Sequence, residues 1–495
     1  MTLGEVLSGA PVAQAVPPAV AAAQVSGVAY DSRKVAPGYL FFAFPGKRVD
    51  GGEFAAQAFE RGALAVVSES PRPAEAAGPW IQVEHGRRAL AVAARNFYGK
   101  PDERIAITGI TGTNGKTTTA YLLDSILRGA GNTTALMGTI EYRLAGKVTT
   151  AVNTTPESLE LFRIFSELAA AGGSHATMEV SSHALALGRV YGIRFHTAVF
   201  TNLTRDHLDF HRTMEEYFAA KRLLFAGAGA PPPPFSVINH DDAFGCRIGA
   251  APGTTRLSYG IGEGADARAE HIHSGFDGLH FEIVLESERF PIVSPLPGRM
   301  NVYNILAAWC AGRTLGLAPE QLASGIAACR AVPGRFERVD EGQPFLVVVD
   351  YAHTDDALRN VIAVARGLEP KRVITLFGCG GDRDRAKRPM MGEAAAELSD
   401  FVVLTSDNPR SEDPLAIIND ALQGLWRHDT PHVEEPDREK AIRLALAKAE
   451  PGDIVILAGK GHETYQILHG RTIQLDDREV ARKVLRGFGY GAEKA

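Results

Sequence analysis

The sequence lacks several features that would assign it to other classes of protein. No run of apolar residues among its 495 positions approaches the roughly 20 needed to span a bilayer. Basic residues do not outnumber acidic ones, the net charge is −6, and no Lys/Arg cluster is interleaved with aromatics. The first basic residue is Arg33, so the N-terminus lacks the basic start of a signal peptide. We expect a cytoplasmic protein that binds neither membranes nor nucleic acid.

Cysteine is also scarce. The four cysteines are widely spaced and form no Cys-x-x-Cys pair, a pattern that argues against a zinc site or a disulfide framework. We interpret Cys246, Cys310, Cys329 and Cys379 as thiols without a chemical role in a reducing compartment.

The length and the order of apolar segments predict an α/β protein of three domains. Single cores rarely grow past roughly 250 residues, and short apolar runs alternate with segments of helical periodicity, as in parallel sheets. We place the domains at residues 1–103, 104–332 and 333–495. The alternating stretch LHFEIVLE is predicted to be an antiparallel edge strand.

Most apolar strands of the second and third domains run directly into a polar or glycine-rich motif. The ligand of an open α/β sheet lies beyond the carboxyl ends of its strands. We therefore expect these motifs to line one crevice: TGTNGKT, EVSSH, NLTRDHLD, DYAHT, GCGGDRDR, SDNPR and GKGHE.

The first of these motifs predicts a phosphate loop. Between an apolar strand and a helical run it supplies glycines for close backbone approach, Lys116 for the phosphates and Thr117 for a divalent cation. The spacing is unusual, because Ile110 stands where the common pattern has its first glycine, and Gly109 and Gly112 flank that position. The motif alone indicates ATP or GTP binding.

The segment TGTNGKTTT resembles the phosphate loop of the Mur ligase superfamily, the ATP-dependent amide ligases of peptidoglycan synthesis. This superfamily also includes folylpolyglutamate synthase. That family's loop has the same shifted glycine, and the resemblance recurs at separate motifs over nearly the whole chain. It implies an N-terminal α/β domain that binds a UDP-linked substrate, a central P-loop ATPase-like domain with a parallel sheet, and a C-terminal Rossmann-like α/β domain.

The resemblance also implies roles for individual residues in the nucleotide and metal sites. Mg²⁺ would be held by Thr117, Glu179, His207 and an N-carbamylated Lys221, and the last three together with Lys116 would be catalytic. The ATP site would comprise the phosphate loop and three residues beyond it: Gly112, Thr113, Asn114, Gly115, Lys116, Thr117, Thr118, Asn304, Arg335 and His353. One departure is Asp355, which replaces the proline that usually follows the threonine of the DYAHT motif.

In the first domain, YDSRKVAPGYLFFAFPG resembles the UDP-binding domain of the family's third-step ligases. The implied contacts to the sugar-peptide substrate are Ser32, Thr154, Thr155, Ser181 and Arg189. Leu187 replaces a glutamine common in relatives, and leucine cannot donate a hydrogen bond to the substrate.

The motif SDNPRSEDP bears on which amino acid is added. Third-step ligases use meso-diaminopimelate or L-lysine, which differ by one distal carboxylate, and arginine matches a carboxylate bidentately. Members that add diaminopimelate carry Asp-Asn-Pro-Arg here. The implied diaminopimelate contacts are Arg383, Asp407, Asn408, Pro409, Arg410, Gly459 and Glu463.

The implied reaction uses ATP to phosphorylate the D-glutamyl carboxylate of UDP-N-acetylmuramoyl-L-alanyl-D-glutamate, and diaminopimelate then displaces phosphate. We expect a monomer acting on small molecules. Alternatives are the same step with L-lysine or another diamino acid, another ligase such as folylpolyglutamate synthase, and an ATP-bound switch or scaffold without ligase activity.

Overall fold

The computed structural model describes residues 1–46, 49–275 and 278–491. Three large sheets follow one another along the chain, which confirms the predicted α/β architecture. Within this part of the chain, no helix combines the length and apolar character required to cross a membrane. The four cysteines lie in the described ranges and form no disulfide, as expected.

The first sheet is parallel, with strand order β1-β2-β3-β4. Both of its faces are covered, so strands such as YLFFA are apolar throughout. Its strands are β1 Gly27–Ala29, β2 Tyr39–Ala43, β3 Ala65–Ser68 and β4 Trp80–Gln82. The helices are α1 Leu3–Val6, α2 Pro18–Ala21, α3 Ala55–Glu60 and α4 Gly86–Phe97.

The central sheet has the strand order β15-β14-β13-β12-β11-β10-β5-β9-β6-β7-β8. Its strands are β5 Ala106–Thr111, β6 Thr134–Met137, β7 Glu141–Leu144, β8 Lys147–Thr150, β9 His175–Glu179, β10 Thr197–Phe200, β11 Phe235–Asn239, β12 Thr255–Gly260, β13 Ala267–Gly275, β14 Gly278–Leu285 and β15 Glu288–Ser294. The helices are α5 Lys116–Gly129, α6 Ser158–Ala170, α7 Ser182–Leu187, α8 Leu208–His211, α9 Met214–Arg222, α10 Arg299–Thr314 and α11 Pro319–Ala328.

The stretch LHFEIVLE forms most of β14. It is antiparallel as predicted, but the prediction of an edge strand is wrong, because β14 pairs with β13 on one side and β15 on the other. The alternating pattern arises because one face of this hairpin meets the core and the other faces solvent, which also occurs inside a sheet.

The topology of the central sheet positions the phosphate loop. β5 lies between β9 and β10 and is parallel to both, with Ile110 opposite Glu179 and Thr111 opposite Phe200. The carboxyl ends of three neighbouring strands therefore meet at one edge, where the strand order reverses. Such a switch point is the usual ligand position in an open α/β sheet.

The third sheet has the order β16-β17-β21-β18-β19-β20, with all neighbours parallel except β16 and β17. Its strands are β16 Glu337–Val339, β17 Leu346–Asp350, β18 Val373–Cys379, β19 Phe401–Ser406, β20 His432–Glu434 and β21 Ile454–Ala458, followed by a separate hairpin of β22 Tyr465–Leu468 and β23 Arg471–Gln474. The helices are α12 Asp355–Arg366, α13 Lys387–Leu398, α14 Pro414–Leu425, α15 Arg438–Lys448 and α16 Asp477–Gly487.

The substitution of Asp355 for proline leaves the start of α12 intact. Thr354 caps the helix by accepting a hydrogen bond from the Ala357 backbone N–H, and Asp355 occupies the first helical position. Proline is favoured there because its φ suits a helix, whereas aspartate is favoured by the helix dipole. Either residue therefore supports the same turn.

A buried ion pair stabilises the carboxyl ends of two strands of the third sheet. Arg438 and Asp477 are fully buried, and the guanidinium donates to both carboxylate oxygens at 2.9 and 2.6 Å. Arg438 also donates to the carbonyl oxygens of Ser406 and Ala458, at the ends of β19 and β21. It therefore holds the two strand ends from which two of the predicted binding motifs begin.

We predict that Asp477→Asn destabilises the protein by about 3–5 kcal/mol, because it leaves the Arg438 charge buried without a partner. Chemical denaturation monitored by circular dichroism measures the change. The matched control is Glu393→Gln, which breaks the exposed Arg427–Glu393 pair and should cost less than about 1 kcal/mol. Equal losses in the two variants would contradict a stabilising role for the buried pair.

Candidate active site at the carboxyl edges of the sheets

The phosphate loop connects the end of β5 to the first residue of α5, Lys116. Gly115 precedes this helix with φ +84°, and the side-chain oxygen of Asn304 lies so close that a Cβ would collide with it. Only glycine satisfies both constraints. The loop thus directs the N-terminal N–H groups of a long helix toward the adjacent pocket, an arrangement suited to phosphate.

Side chains after β10 hold the loop in place. The Thr201 hydroxyl and the Asn202 amide donate to the Asn114 carbonyl oxygen at 2.6 and 3.1 Å, and the Asn202 side-chain oxygen accepts from the Asn114 N–H at 2.9 Å. These contacts fix the loop before any ligand binds. None of them was predicted from the sequence.

Lys116 lies inside the loop's curve. Its Nζ donates to the carbonyl oxygens of Gly112 and Thr113 at 3.0 and 2.9 Å. Burial lowers the pKa of its ammonium group, and the Glu179 carboxylate opposes that shift. A bound anionic phosphate would favour the charged form of this lysine in the same way.

A pocket of about 260 Å³ opens in front of the loop. It collects most of the residues predicted for the nucleotide and metal, and two of those predicted for the UDP-linked substrate. These lining residues are Thr113, Asn114, Gly115, Lys116, Thr117, Thr118, Asn304, Arg335, His353, Glu179, His207, Thr154 and Ser181. Gly112 lies at the back of the loop and contributes its carbonyl oxygen to lysine contacts.

Glu179 ends β9 beside the loop and is almost fully buried. Its two carboxylate oxygens accept hydrogen bonds from the backbone N–H and the hydroxyl of Thr139, at 2.9 and 3.1 Å. Thr139 in turn contacts the hydroxyl of Thr154 at 3.1 Å. Thr139 therefore orients the carboxylate into the pocket, and no motif in the sequence indicated that role.

His207 lies across the pocket in a left-handed backbone conformation, with φ +55°. Its backbone N–H donates to the Asp206 carboxylate. Burial keeps the pKa of the His207 imidazole below its ordinary value despite the neighbouring Asp206. A neutral imidazole is the form able to ligate a metal.

Lys221 lies behind the loop and outside the pocket lining. It is 1% exposed, its Nζ donates to the Gly112 carbonyl oxygen at 2.6 Å, and its ammonium lies 4.6 Å from the centre of the Tyr217 ring. Burial, helped by the nearby Lys116 charge, lowers the pKa of Lys221 well below its ordinary value. The neutral amine is the nucleophilic form, which is the form that CO₂ modifies.

The C-terminal domain reaches the loop through Arg335. The Arg335 guanidinium donates to the Thr117 hydroxyl at 3.3 Å and lies 4.7 Å from the centre of the Tyr351 ring. Its Nε is buried without a hydrogen-bond partner in the described residues. His353 lies nearby, with Nδ1 2.8 Å from the Tyr351 carbonyl oxygen, and burial lowers its pKa.

Asp356, on the first turn of α12, makes a second contact to the loop. Its carboxylate accepts hydrogen bonds from the Asn114 amide at 2.7 Å and the Thr204 hydroxyl at 3.3 Å. Burial raises the pKa of Asp356 above its usual value. The sequence placed Asp356 beside a predicted nucleotide residue but gave no sign that it crosses to the phosphate loop.

Three of the seven strand-end motifs do not line this pocket. GCGGDRDR, SDNPR and GKGHE follow β18, β19 and β21 and form a second cluster. The cluster adjoins the pocket through Tyr351, whose ring centre lies 5.0 Å from that of His462. The expectation of a single crevice is therefore corrected to two adjoining sites, because each sheet has its own carboxyl edge.

Arg410 is held rigidly in the second cluster. Its backbone adopts φ +56°, its N–H donates to the Ile467 carbonyl oxygen at 3.1 Å, and its Nη1 donates to the Gly381 carbonyl oxygen at 2.6 Å. The hairpin β22–β23 thus lies along the SDNPR motif. This hairpin was not predicted from the sequence. The alternating run YQILHGRTIQ around a His-Gly turn is the pattern that indicates it.

The other predicted amino-acid contacts lie in the three loops that form this cluster. The Asn408 amide donates to Glu463 at 2.9 Å, and Asp407 lies 3.3 Å from the buried ammonium of Lys460. Pro409 and Gly459 belong to the same two loops. Arg383 donates to the carbonyl oxygen of its neighbour Asp382.

The residues predicted to contact the UDP-linked substrate are divided between two places. Ser32 lies in the first domain, where its hydroxyl donates to Gln57 at 2.6 Å. Thr155 donates to the Glu179 carbonyl oxygen, and Arg189 pairs with Glu157 at 2.9 Å. Thr154, Thr155, Ser181 and Arg189 are thus grouped beside β9, and the hydrogen bond of Ser32 lies within the first domain.

Three family models match successive parts of the chain. Residues 24–98 match the Mur ligase family catalytic domain, residues 110–312 the Mur ligase middle domain, and residues 334–461 the Mur ligase glutamate ligase domain.

Three relatives carry the same printed name, UDP-N-acetylmuramoyl-L-alanyl-D-glutamate–2,6-diaminopimelate ligase. The protein from Solibacter usitatus is 68% identical over 490 residues, which is 99% of each chain. That from Geobacillus thermodenitrificans is 47% identical over 460 residues, 92% of this chain and 94% of its own. A solved structure with this title is 32% identical, covers 99% of both chains and superposes with a TM-score of 0.70. From the matched domains and these identities, the chain belongs to the Mur ligase family.

Proposed function

We propose that this protein is an ATP-dependent ligase that joins meso-2,6-diaminopimelate to UDP-N-acetylmuramoyl-L-alanyl-D-glutamate in peptidoglycan precursor synthesis. The observation that carries the proposal is the pair of adjoining sites. A phosphate loop faces Glu179 and Arg335. Beyond Tyr351, the SDNPR motif holds Arg410 through the Gly381 carbonyl oxygen and contacts Glu463 through the Asn408 amide. The names of the close relatives support the same reaction. We place the domains at 1–103, 104–332 and 333–495 and the reaction in the cytoplasm.

Mg²⁺ fits the residues around the loop. In the described part of the chain, no three His, Cys, Asp or Glu side chains are grouped to hold a metal by themselves. The wall nevertheless presents hard oxygen from Thr117 and Glu179 and an imidazole from His207, and Mg²⁺ commonly takes its remaining ligands from phosphate and water. When bound, it would neutralise charge on the transferred phosphoryl group.

Lys221 is proposed to carry a carbamate. Its lowered pKa supplies the neutral amine, and its contact with the Gly112 carbonyl places it directly behind the loop. Addition of CO₂ to that amine releases a proton and leaves an anionic carbamate, which would interact favourably with the nearby Lys116 charge. The modification would convert a non-ligand into an oxygen ligand.

The second site supplies the specificity for the amino acid. The distal end of diaminopimelate carries an ammonium and a carboxylate, and we assign them to Glu463 and Arg410. Arg410 is fixed through its backbone and through Nη1, so its guanidinium is presented in one orientation. A planar donor fork held in place recognises carboxylates well.

The chain's own residues account for the main steps. Lys116 and Arg335 offset negative charge as the γ-phosphoryl group moves to the D-glutamyl carboxylate. This transfer activates the carboxylate, because phosphate is a better leaving group than oxide. The amine of diaminopimelate attacks the acyl phosphate, loses a proton, and expels phosphate. Contacts of Asp356 and Arg335 across the loop keep the C-terminal domain over the nucleotide, which limits hydrolysis of the intermediate.

The alternatives are less well supported. Folylpolyglutamate synthase would have no use for the first-domain segment around Ser32 or for the Arg410 motif. A nucleotide switch or scaffold would leave Lys221 and Arg410 without a common purpose. Addition of L-lysine would leave Arg410 without a carboxylate to bind.

ADP release by the purified protein should require the UDP-linked dipeptide and meso-diaminopimelate together, because the acyl phosphate turns over productively only when an amine attacks it. A coupled ADP assay with a panel of diamino acids measures this. Equal turnover with L-lysine would contradict the assigned amino acid, and ADP release without the dipeptide would contradict the ligase reaction.

Arg410→Ala should raise KM for diaminopimelate at least about 30-fold, since loss of a buried charge partner costs roughly 2 kcal/mol or more. The KM values for ATP and the dipeptide should change less than about twofold. Arg427→Ala, at an exposed arginine of the same domain, is the control. Unchanged diaminopimelate kinetics in Arg410→Ala would defeat the assignment.

Lys221→Ala should lower kcat by about 100-fold or more, the scale of losing one preorganised electrostatic group. Short carboxylates such as formate should partly restore activity by replacing the carbamate. Carbon-13-labelled bicarbonate should give a carbamate NMR signal in the wild type that is absent in the variant. Lys440→Ala, at an exposed lysine, is the control. Full activity in Lys221→Ala would disprove the role.

A further inference from the structure

Lys460 is fully buried directly after β21 and has no role in the account given so far. Its Nζ lies 3.3 Å from an Asp407 carboxylate oxygen, 3.2 Å from the Asn408 side-chain oxygen and 3.1 Å from Glu463 Oε2. These partners belong to two loops that are separate in the sequence. The ammonium group is therefore the point at which the SDNPR and GKGHE motifs meet.

The two carboxylate oxygens of Glu463 have different hydrogen-bond environments. Oε2 accepts hydrogen bonds from both Lys460 and the Asn408 amide, at 3.1 and 2.9 Å. Oε1 receives no hydrogen bond from the described residues, and the side chain is 15% exposed. One oxygen is thus anchored to the protein, and the other is available to a ligand.

The charged side chains around Lys460 also leave one negative charge unpaired. We define the charge cluster as Lys460, Asp407 and Glu463, without Arg410. Lys460 contributes one positive charge and the two carboxylates contribute two negative charges, so this cluster carries −1. The neighbouring Arg438 is already paired with Asp477. Buried charges are stable only when they are paired, so the cluster is built to accept one further cation.

We propose that Lys460 is a positioning residue for the amino-acid substrate: it holds the Glu463 carboxylate in place and leaves the cluster with a single surplus negative charge, which matches one ammonium group. This inference rests on the proposed function and goes beyond it, because Lys460 itself does not touch the substrate. Arg410 lies outside this cluster but in the same SDNPR motif as Asp407, and it would supply the cation for the substrate's distal carboxylate.

Without Lys460, two carboxylates would face each other in a buried site. Carboxylates that share a site hold a proton between them to higher pH than one alone, and that proton would neutralise part of the negative charge on Glu463, the carboxylate that faces the ligand. Other ionisable groups that interact with the cluster are Arg438, His353, His462, Tyr351 and Tyr465. Asp477 is paired with Arg438, and Arg410 acts on Tyr465.

The test is steady-state kinetics of Lys460→Met against the matched Lys440→Met, which removes an exposed lysine of the same domain. In Lys460→Met, KM for diaminopimelate should rise at least about 30-fold near neutral pH, the scale of unpairing a buried charge. kcat and the KM values for ATP and the dipeptide should stay within about twofold. Raising the pH should lower this KM in the variant, since the shared proton is lost, and should leave the Lys440→Met profile like that of the wild type.

A charge-balanced variant separates this role from simple packing and covers the case in which Lys460→Met does not fold. Asp407→Asn combined with Lys460→Met restores the charge of −1 and leaves no unpaired buried carboxylate. Its KM for diaminopimelate should lie at least about tenfold below the value expected for Lys460→Met alone. The proposal would be overturned if KM for diaminopimelate in the double variant were raised as much as in Lys460→Met. If Lys460→Met does not fold, a KM in the double variant at least about 30-fold above the wild type would overturn it.

Two further outcomes are distinguishable. Wild-type protein that releases no ADP with diaminopimelate would refute the proposed function. Wild-type protein that uses diaminopimelate, together with an unchanged KM and pH profile in a folded Lys460→Met variant, would refute only the role of Lys460.

Discussion

The parallel pairing of β5 with β9 and β10 is the constraint on which the site depends. Because the three strands run in the same direction, their carboxyl ends place the phosphate loop, Glu179 and the Thr201–Asn202 segment at one edge. The third sheet repeats the principle, with the ends of β17, β18, β19 and β21 at its own edge. A shift of one residue in either register would turn these side chains away from the edge.

A second constraint is the burial of charge. Lys221 and Lys460 are fully buried and Lys116 is half-buried. Each is held by oxygen atoms of the protein: backbone carbonyls for Lys116 and Lys221, and carboxylate and amide oxygens for Lys460. Removing water from these groups strengthens their interactions with anions. It also makes each lysine sensitive to its neighbours, which is useful for handling phosphate and carboxylate groups.

The two sites are connected by a small number of contacts between domains. Arg335 and Asp356 reach the phosphate loop from the C-terminal domain, and Tyr351 lies between Arg335 and His462. The residues proposed for the nucleotide and those proposed for the amino acid are therefore linked through a few side chains.

The sequence by itself determined the α/β class, the order of the sheets and the phosphate loop, because strand and helix periodicity and the Gly-Lys-Thr motif are local properties. The resemblance at separate motifs indicated the family, which the comparisons confirmed. Roles assigned to individual residues, such as Asn304 and Arg383, remain predictions.

Only the tertiary structure decided which distant residues meet. Thr139 beneath Glu179, Asp356 on Asn114, and Lys460 between Asp407 and Glu463 are contacts between segments far apart in the chain. The internal position of β14 and the division into two adjoining sites likewise follow from strand pairing. Contacts of this kind depend on topology and register, and no local pattern of residues specifies them.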